Sequence, residues 1–512
     1  MNVLKEIAQK KEFRSIVKIC LFVFFVEIFV FNFRYWESRF NHEIVDFSFT
    51  TGSGVVDQGD GIFLFTEGDK YLEFADIDQR LSTIHIEMEV MNGDTNEPIM
   101  LYQSVRDESH ELYYGIPDRQ IWHSQKKSQY MTYHLYGNCK SIKITPVLND
   151  GTQVRLTYTL NAKIPMFFSW VRMLVLWMIC VFIYLFRPSS FVYRIEFLQM
   201  KTGKSILLVL LFMFHLLCFG MLVRLNPFFQ VEGPVNQQEY QKLAESLSQG
   251  KTYIMEEPSP SLIKMENPYD YALRSQVMSE SGEGFLWDYA YFEGKYYVYF
   301  GVVPELLFYL PYYLLTGSHL YNYQVIFIGA VCVLLGIMGI VYQVIKRYFP
   351  QTSLGVWYLL TEIIVMGSGL IYMCKRPDMY TVPIIIGLGL GLLGIWSFLC
   401  IEKRDEHSLL LVMIGSLCMA MIAGCRPQLF LMALFPVLFF HKHIFSAKYL
   451  KTCAGIKESI AFFIPMFTIA GLLMYYNYIR FGSVFDFGAN YNLTFNDMRN
   501  RGLVLERIPL GI

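Results

Sequence analysis

Two patterns of apolar and polar residues divide this chain. Between about Tyr35 and Lys163 the two kinds alternate: Ile84, Ile86, Met88 and Val90 interleave with His85, Glu87 and Glu89, and Val154, Leu156, Tyr158 and Leu160 repeat the arrangement. A period of two places alternate side chains on opposite faces of a strand. The turn signals Asn92-Gly93-Asp94 and Asn149-Asp150-Gly151 punctuate the stretch, which therefore predicts a β-sandwich of roughly eight to ten short strands. Elsewhere the pattern is one of long apolar runs, at about 15–33, 164–186, 205–223, 325–345, 353–373, 380–399, 409–424, 429–440 and 460–478. A helix needs roughly 20 apolar residues to cross a hydrocarbon core. About nine spans are expected, with 429–440 short for the purpose. Residues 300–317 hold Pro304, Pro311 and several tyrosines, which suits an interfacial or re-entrant helix better than a straight span.

Charge gives these runs a direction. Lys5, Lys10, Lys11 and Arg14 precede the first one, and no small-residue cleavage site follows it, so an uncleaved anchor with a cytoplasmic N-terminus is expected. The alternating region then emerges outside. Arg187, Arg194, Lys201 and Lys204 mark an inner loop, residues 224–298 an outer one, and Lys346-Arg347, Lys403-Arg404 and Lys442, Lys448, Lys451 and Lys457 further inner connections. The expected organisation is a cytoplasmic start and anchor (1–34), an extracytoplasmic β-sandwich (35–163) and a transmembrane domain (164–512). The fold class is a polytopic α-helical membrane protein of the plasma membrane with an inserted β-sandwich.

Composition agrees: 54% hydrophobic, 17% charged, mean hydropathy +0.33 and formal net charge −1. Such a balance offers no basic field for nucleic acid. Most of the ten cysteines lie in or beside apolar runs, with no CxxC, and read as small core residues. His441 and His443 sit with Lys442 and Lys448 and read as a solvated basic anchor. Any metal would have to come from carboxylates, which leaves a divalent cation open. Gly387, Gly389, Gly391 and Gly394 lie mid-span; the Gly387/Gly391 spacing indicates close helix packing, not a phosphate loop. Glu362 is a carboxylate well inside a span, either packed as the acid or part of a polar cavity.

Three arginines, Arg376, Arg426 and Arg480, fall at the end of apolar runs that the charge pattern places outside. This runs against the usual bias of Lys and Arg toward the cytoplasm, and suggests an anionic partner at the outer surface such as a lipid-linked phosphate. Anchoring at helix ends is the alternative. The outer loop adds carboxylates, Glu232, Glu239, Glu266, Asp270, Asp288 and Glu293, beside the aromatic stretch from Trp287 to Phe300. Flat apolar faces suit sugar rings, and a positioned acid can take a proton from an attacking hydroxyl. A solvated loop with an interfacial tyrosine belt would have the same composition.

The collinear segments NAKIPMFFSWVR, QQEYQKLAESLSQGKTY, ENPYDYALR, WDYAYFEGKYYVYFGVVPELLFYLPYYLLTG, CKRPDMY, AGCRPQ and YNYIRFGSVFDFG resemble large bacterial multi-spanning glycosyltransferases of the GT-C fold class. They are similar to the protein O-mannosyltransferase and aminoarabinose transferase relatives. The resemblance implies transfer of a sugar from a polyprenyl-phosphate carrier to an extracytoplasmic glycan, lipid or protein, in a chain whose other partner is the lipid bilayer; an inverting transfer at the outer membrane face is the expectation. It implies an acid early in the outer loop. Gln238 stands where the family pattern has Asp, and Glu239 matches the second acid, with Asp288 and Glu232 as rivals for the base. Arg376, Arg426 and Arg480 would bind the donor phosphate, and Tyr240, Trp287, Tyr289 and Asn477 would contact sugar or acceptor. Chains of this class carry more spans, so the resemblance also implies a longer parent. A lipid-glycan transporter and a catalytically inactive lipid-sugar-binding protein are the other classes consistent with the sequence.

Overall fold

In the computed structural model the chain forms two compact units, Met1–Arg187 and Pro188–Ile512. The residues described are 10–93, 97–224, 238–401, 406–435 and 451–500.

Among the described residues the first unit is built on ten strands, β1 (Ser48–Thr51), β2 (Val55–Asp57), β3 (Ile62–Phe65), β4 (Leu72–Ala75), β5 (Thr83–Val90), β6 (Ile99–Asp107), β7 (His110–Ile121), β8 (Tyr130–Thr132), β9 (Cys139–Pro146) and β10 (Gln153–Leu160), in two five-stranded antiparallel sheets ordered β1-β4-β9-β6-β7 and β2-β3-β10-β5-β8. The two stretches that alternate most clearly in sequence, β5 (Thr83–Val90) and β10 (Gln153–Leu160), pair with each other from Val154↔Val90 to Leu160↔Ile84. Their inward residues join Phe65, Leu72, Phe74, Leu101, Val105, Ile142 and Ile144 in one core, as period two requires. The two predicted turns also meet, because the Asn92 amide donates to Gly151 O (2.8 Å) and its carbonyl accepts from Gln153 N–H (2.8 Å).

At the other end of β10, Asn161 takes a left-handed φ of 54° and accepts from Ser82 N–H at 2.8 Å. Below it the helices Lys10–Val26 and Trp170–Leu185 pack together. They are clipped by the buried carboxylate of Glu27, which receives Arg172 Nε (2.7 Å) and Ser169 N–H (2.9 Å). Several aromatics of the sandwich are engaged within it. Tyr133 is buried and donates to Gln103, Tyr113 donates to Glu73 and Ser141, Tyr114 donates to Asp107, and Trp122 and Tyr130 are half-buried.

The apolar runs are real but do not make nine spans. Among the described residues four helices are long and apolar enough to cross a membrane: Lys201–Arg224, Asn322–Tyr348, Thr381–Leu399 and Cys453–Phe481. Three shorter apolar helices accompany them. The local reasons are legible. The run at 15–33 passes into a π-helix at Glu27–Phe31. The run at 164–186 turns helical only at Trp170, after an extended segment containing Pro165. The run at 353–373 stops at Gly367 and resumes at Leu370 after Gly369, with φ 79°. The run at 429–440 opens inside a 3-10 helix, Pro427–Ala433, and its end lies outside the described residues.

In the second unit the glycines pack helices closely. A Cβ on Gly391 would come within 2.5 Å of Met432 Cε, on Gly389 within 2.9 Å of Cys332 Cβ, and on Gly336 within 2.5 Å of Leu392 Cβ. This is the packing role expected of mid-span glycines. Glu362 has a partner in the neighbouring helix, His215, at 3.2 Å, and the other ring nitrogen of His215 meets Leu211 O at 2.8 Å. All ten cysteines are free thiols.

Candidate functional site

The site lies in the second unit and starts from the helix Glu239–Ser248. Its polar N-terminal half is folded inward: Glu239, Tyr240, Gln241, Leu243 and Ala244 are all buried. Tyr240 stacks on Tyr309 (4.9 Å, 12°) and reaches Gly301 O at 3.4 Å, while Gln241 donates to Leu320 O at 2.8 Å. These contacts hold Glu239 at the first helical position with only 6% of its surface exposed. One carboxyl oxygen of Glu239 is buried without a hydrogen-bond partner. Burial, and to a lesser degree the nearby Asp288 carboxylate, push its pKa up to about 7, since an anion in that setting loses hydration and meets a like charge.

Asp288 is placed by a tight hairpin. Ala290–Phe292 and Lys295–Tyr297 pair across Glu293-Gly294, both at positive φ (48° and 73°), the backbone a two-residue turn needs. Asp288 itself has φ 62°, a left-handed backbone that Asp tolerates better than most residues with a side chain. It is 2% exposed. Both its oxygens are engaged: Tyr299 donates to one at 2.7 Å and Tyr380 to the other.

Beyond Tyr299 lies a cavity of about 60 Å³, lined by Tyr299, Phe300, Arg426, Tyr476, Asn477 and Arg480 among others. Its wall is locked by Gly301, where a Cβ would fall 2.1 Å from Cys425 O, and by the Val303 N–H bond to Gly424 O at 3.0 Å. Arg480 is 6% exposed and donates to Val298 O (2.9 Å), Asn477 Oδ1 (2.9 Å) and Tyr476 O (3.3 Å). Arg426 lies over the Phe300 ring (5.7 Å) and donates to Tyr380 O at 3.4 Å, with its Nε buried and unbonded. Among the described residues neither arginine has a carboxylate within salt-bridge distance. Neither acid lines the cavity; Tyr299 stands between, touching both.

Of the residues singled out in the sequence, Glu239, Asp288, Tyr240, Tyr289, Arg426, Asn477 and Arg480 gather here. Tyr289 is buried, with the Lys242 ammonium 6.0 Å from its ring centre. Trp287 is exposed on the surface beside Asp288. Arg376 does not join them: its guanidinium is exposed and paired with Asp378 at 2.8 Å. Glu232 and the His441/His443 pair lie outside the described residues. Among the described residues no three His, Cys, Asp or Glu side chains gather as a metal site.

Three residues were missed. Tyr299 and Tyr380 lie within segments noted in the sequence but carried no signal of their own. Glu305, in the π-helix Glu305–Tyr309, is wholly buried with both oxygens unbonded; an acid in an apolar stretch was a signal available from sequence. Comparison with family models, curated proteins and solved structures returns no match.

Proposed function

We propose that this chain is a membrane glycosyltransferase that moves a sugar from a polyprenyl-phosphate carrier to an extracytoplasmic acceptor, with inversion at the anomeric carbon. The observation that carries this reading is the pair Arg426, half-buried, and Arg480, buried, which line one cavity and, among the described residues, have no carboxylate within salt-bridge distance. A buried cation without a counter-charge is costly. An anion in the cavity supplies the missing charge, and a phosphate offers oxygens to both planar forks. Arg376, already paired and exposed, has no part in it.

Glu239 is the base in this scheme. As the acceptor hydroxyl oxygen bonds to the anomeric carbon, its proton passes to the Glu239 carboxylate. The bond from carbon to phosphate oxygen breaks, and its electron pair stays on the phosphate, where Arg426 and Arg480 meet the developing charge. A carboxyl titrating near neutrality suits a base at physiological pH. Asp288, with both oxygens held by tyrosines, is less free to take a proton and instead positions Tyr299 and Tyr380 between acids and cavity. The acceptor reaches Glu239 when those rings swing aside.

The test is binding and turnover with polyprenyl-phosphate sugars, nucleotide sugars as controls, in wild type and Arg426→Ala. Loss of one charge-assisted contact costs roughly 1.5 to 3 kcal/mol, about ten- to a hundredfold in donor affinity. Donor affinity and turnover within a factor of two of wild type would sink the phosphate role of Arg426. Donor binding with no turnover in wild type would identify a binding protein instead.

A further inference from the structure

Beside Asp288 the second unit carries a built aromatic shelf on its surface. Trp287, Phe495 and Tyr271 are 40%, 66% and 38% exposed. Their rings contact one another, with centroids 4.6 Å apart for Trp287 and Phe495 and 4.8 Å for Tyr271 and Phe495. The backbone brings them together. The segment 492–495 runs antiparallel to 287–290: Ala290 bridges to Asn492, Leu493 N–H donates to Tyr289 O (2.9 Å), and Asp288 N–H donates to Leu493 O (3.2 Å). The left-handed Asp288 separates an outward Trp287 from its own buried carboxylate.

Beneath the shelf, Arg274 is wholly buried. It donates to Pro268 O (2.5 Å) and Thr494 O (2.6 Å), with its guanidinium 5.8 Å from the Tyr271 ring centre. The three rings meet edge to face, at 63° for Trp287 and Phe495, 62° for Tyr271 and Phe495 and 85° for Tyr271 and Trp287, and so form one interlocked cluster whose exposed faces point in different directions.

Two occupants have the chemistry for such a cluster: the interfacial zone of a bilayer, and a saccharide whose polarised C–H faces stack on the negative ring faces. Charge decides between them. Residues 239–300 carry ten acidic against five basic side chains, and Glu266 and Asp270, close in sequence to Tyr271, are exposed. An anionic membrane surface is repelled by that balance, whereas a neutral pyranose is not, and its hydroxyls can donate to exposed carboxylates. We infer that the Trp287–Phe495–Tyr271 shelf holds the acceptor and that the acceptor is a neutral oligosaccharide, an inference that rests on the glycosyl-transfer reading above.

The test uses the full chain in nanodiscs and a panel of neutral tetrasaccharides built from glucose, mannose, galactose or N-acetylglucosamine, read by saturation-transfer NMR. At least one should bind, and Trp287→Ala and Phe495→Ala should each weaken it about tenfold or more, with Arg376→Ala unaffected. Two variants at separate positions guard against a single folding defect. Failure of every tetrasaccharide to bind, or unchanged binding in both variants, overturns the inference. So does quenching by brominated lipids that disappears in Trp287→Phe, which would seat the ring in the bilayer. Turnover from polyprenyl-phosphate sugars is a separate arm. Saccharide binding lost in the variants, with no transfer by wild type, keeps the shelf and removes the transferase reading; wild-type transfer rates in both variants do the reverse.

Discussion

Replacing Glu239 with Gln keeps the shape of the side chain and removes its titration. The carboxyl titrates at about 7 in the folded chain against an ordinary 4.5, a difference worth about 3 kcal/mol at 1.36 kcal/mol per pH unit. The sign follows from the direction of the shift. Folding favours the protonated acid, so its contribution to stability is complete below pH 4.5. It is lost as pH rises from 4.5 through 7, because the unfolded chain ionises first. Wild type and Glu239→Gln, melted in the same detergent from pH 4 to 8.5, should therefore diverge across that window, with the variant gaining relative stability and the difference levelling off above pH 7. Titrations elsewhere in the chain are common to both and cancel. In the same variant, turnover should fall about 10²- to 10⁴-fold, the usual share of a general base, while donor affinity holds. Wild-type kcat/KM should rise with pH through about 7 as the base loses its proton. A flat difference in melting between pH 4.5 and 7 would refute the burial argument. Turnover within a factor of two of wild type would refute the assignment of the base.

Other expectations follow from single contacts. Arg376→Ala should leave donor binding within a factor of two and the melting temperature unchanged in thermal scans, because an exposed ion pair contributes little. Tyr380→Phe removes one of the two hydroxyls on Asp288 and leaves a buried carboxylate oxygen unbonded, which should destabilise the fold by about 1 to 3 kcal/mol in denaturant titrations. Gly301→Ala would press a methyl against Cys425 O; about 1 to 3 kcal/mol or more should be lost, visible as lower yield of folded protein and a lower melting temperature.

The β-sandwich was readable because alternation is a local property. Ile84, Ile86 and Met88 declare one face of a strand whatever the partner, and the partner turned out to be the other strongly alternating stretch. Apolar runs were equally visible, but their conversion to spans was not. Whether 353–373 is one helix or two depends on Gly369 adopting positive φ, and a hydropathy window averages over such a break. On the sandwich, the bonds from Tyr113 to Glu73 and from Tyr133 to Gln103 join segments distant in sequence, so the engagement of these rings is not a local property.

Sequence alone determined that this is a membrane-type chain with apolar helices and a sheet domain, since composition and periodicity follow from residues near one another. It also singled out Glu239 and Asp288, but as members of a larger set of acids. Only the tertiary structure sorted that set. Arg376, Arg426 and Arg480 look alike at the ends of apolar runs, yet one is exposed and paired with Asp378 two residues away, while the others line one cavity and, among the described residues, have no carboxylate within salt-bridge distance. Glu239 acquires its raised pKa from burial under Tyr240 and its neighbours and from an acid far along the chain. Desolvation and charge proximity are properties of space, and a linear sequence does not contain them until the chain has packed.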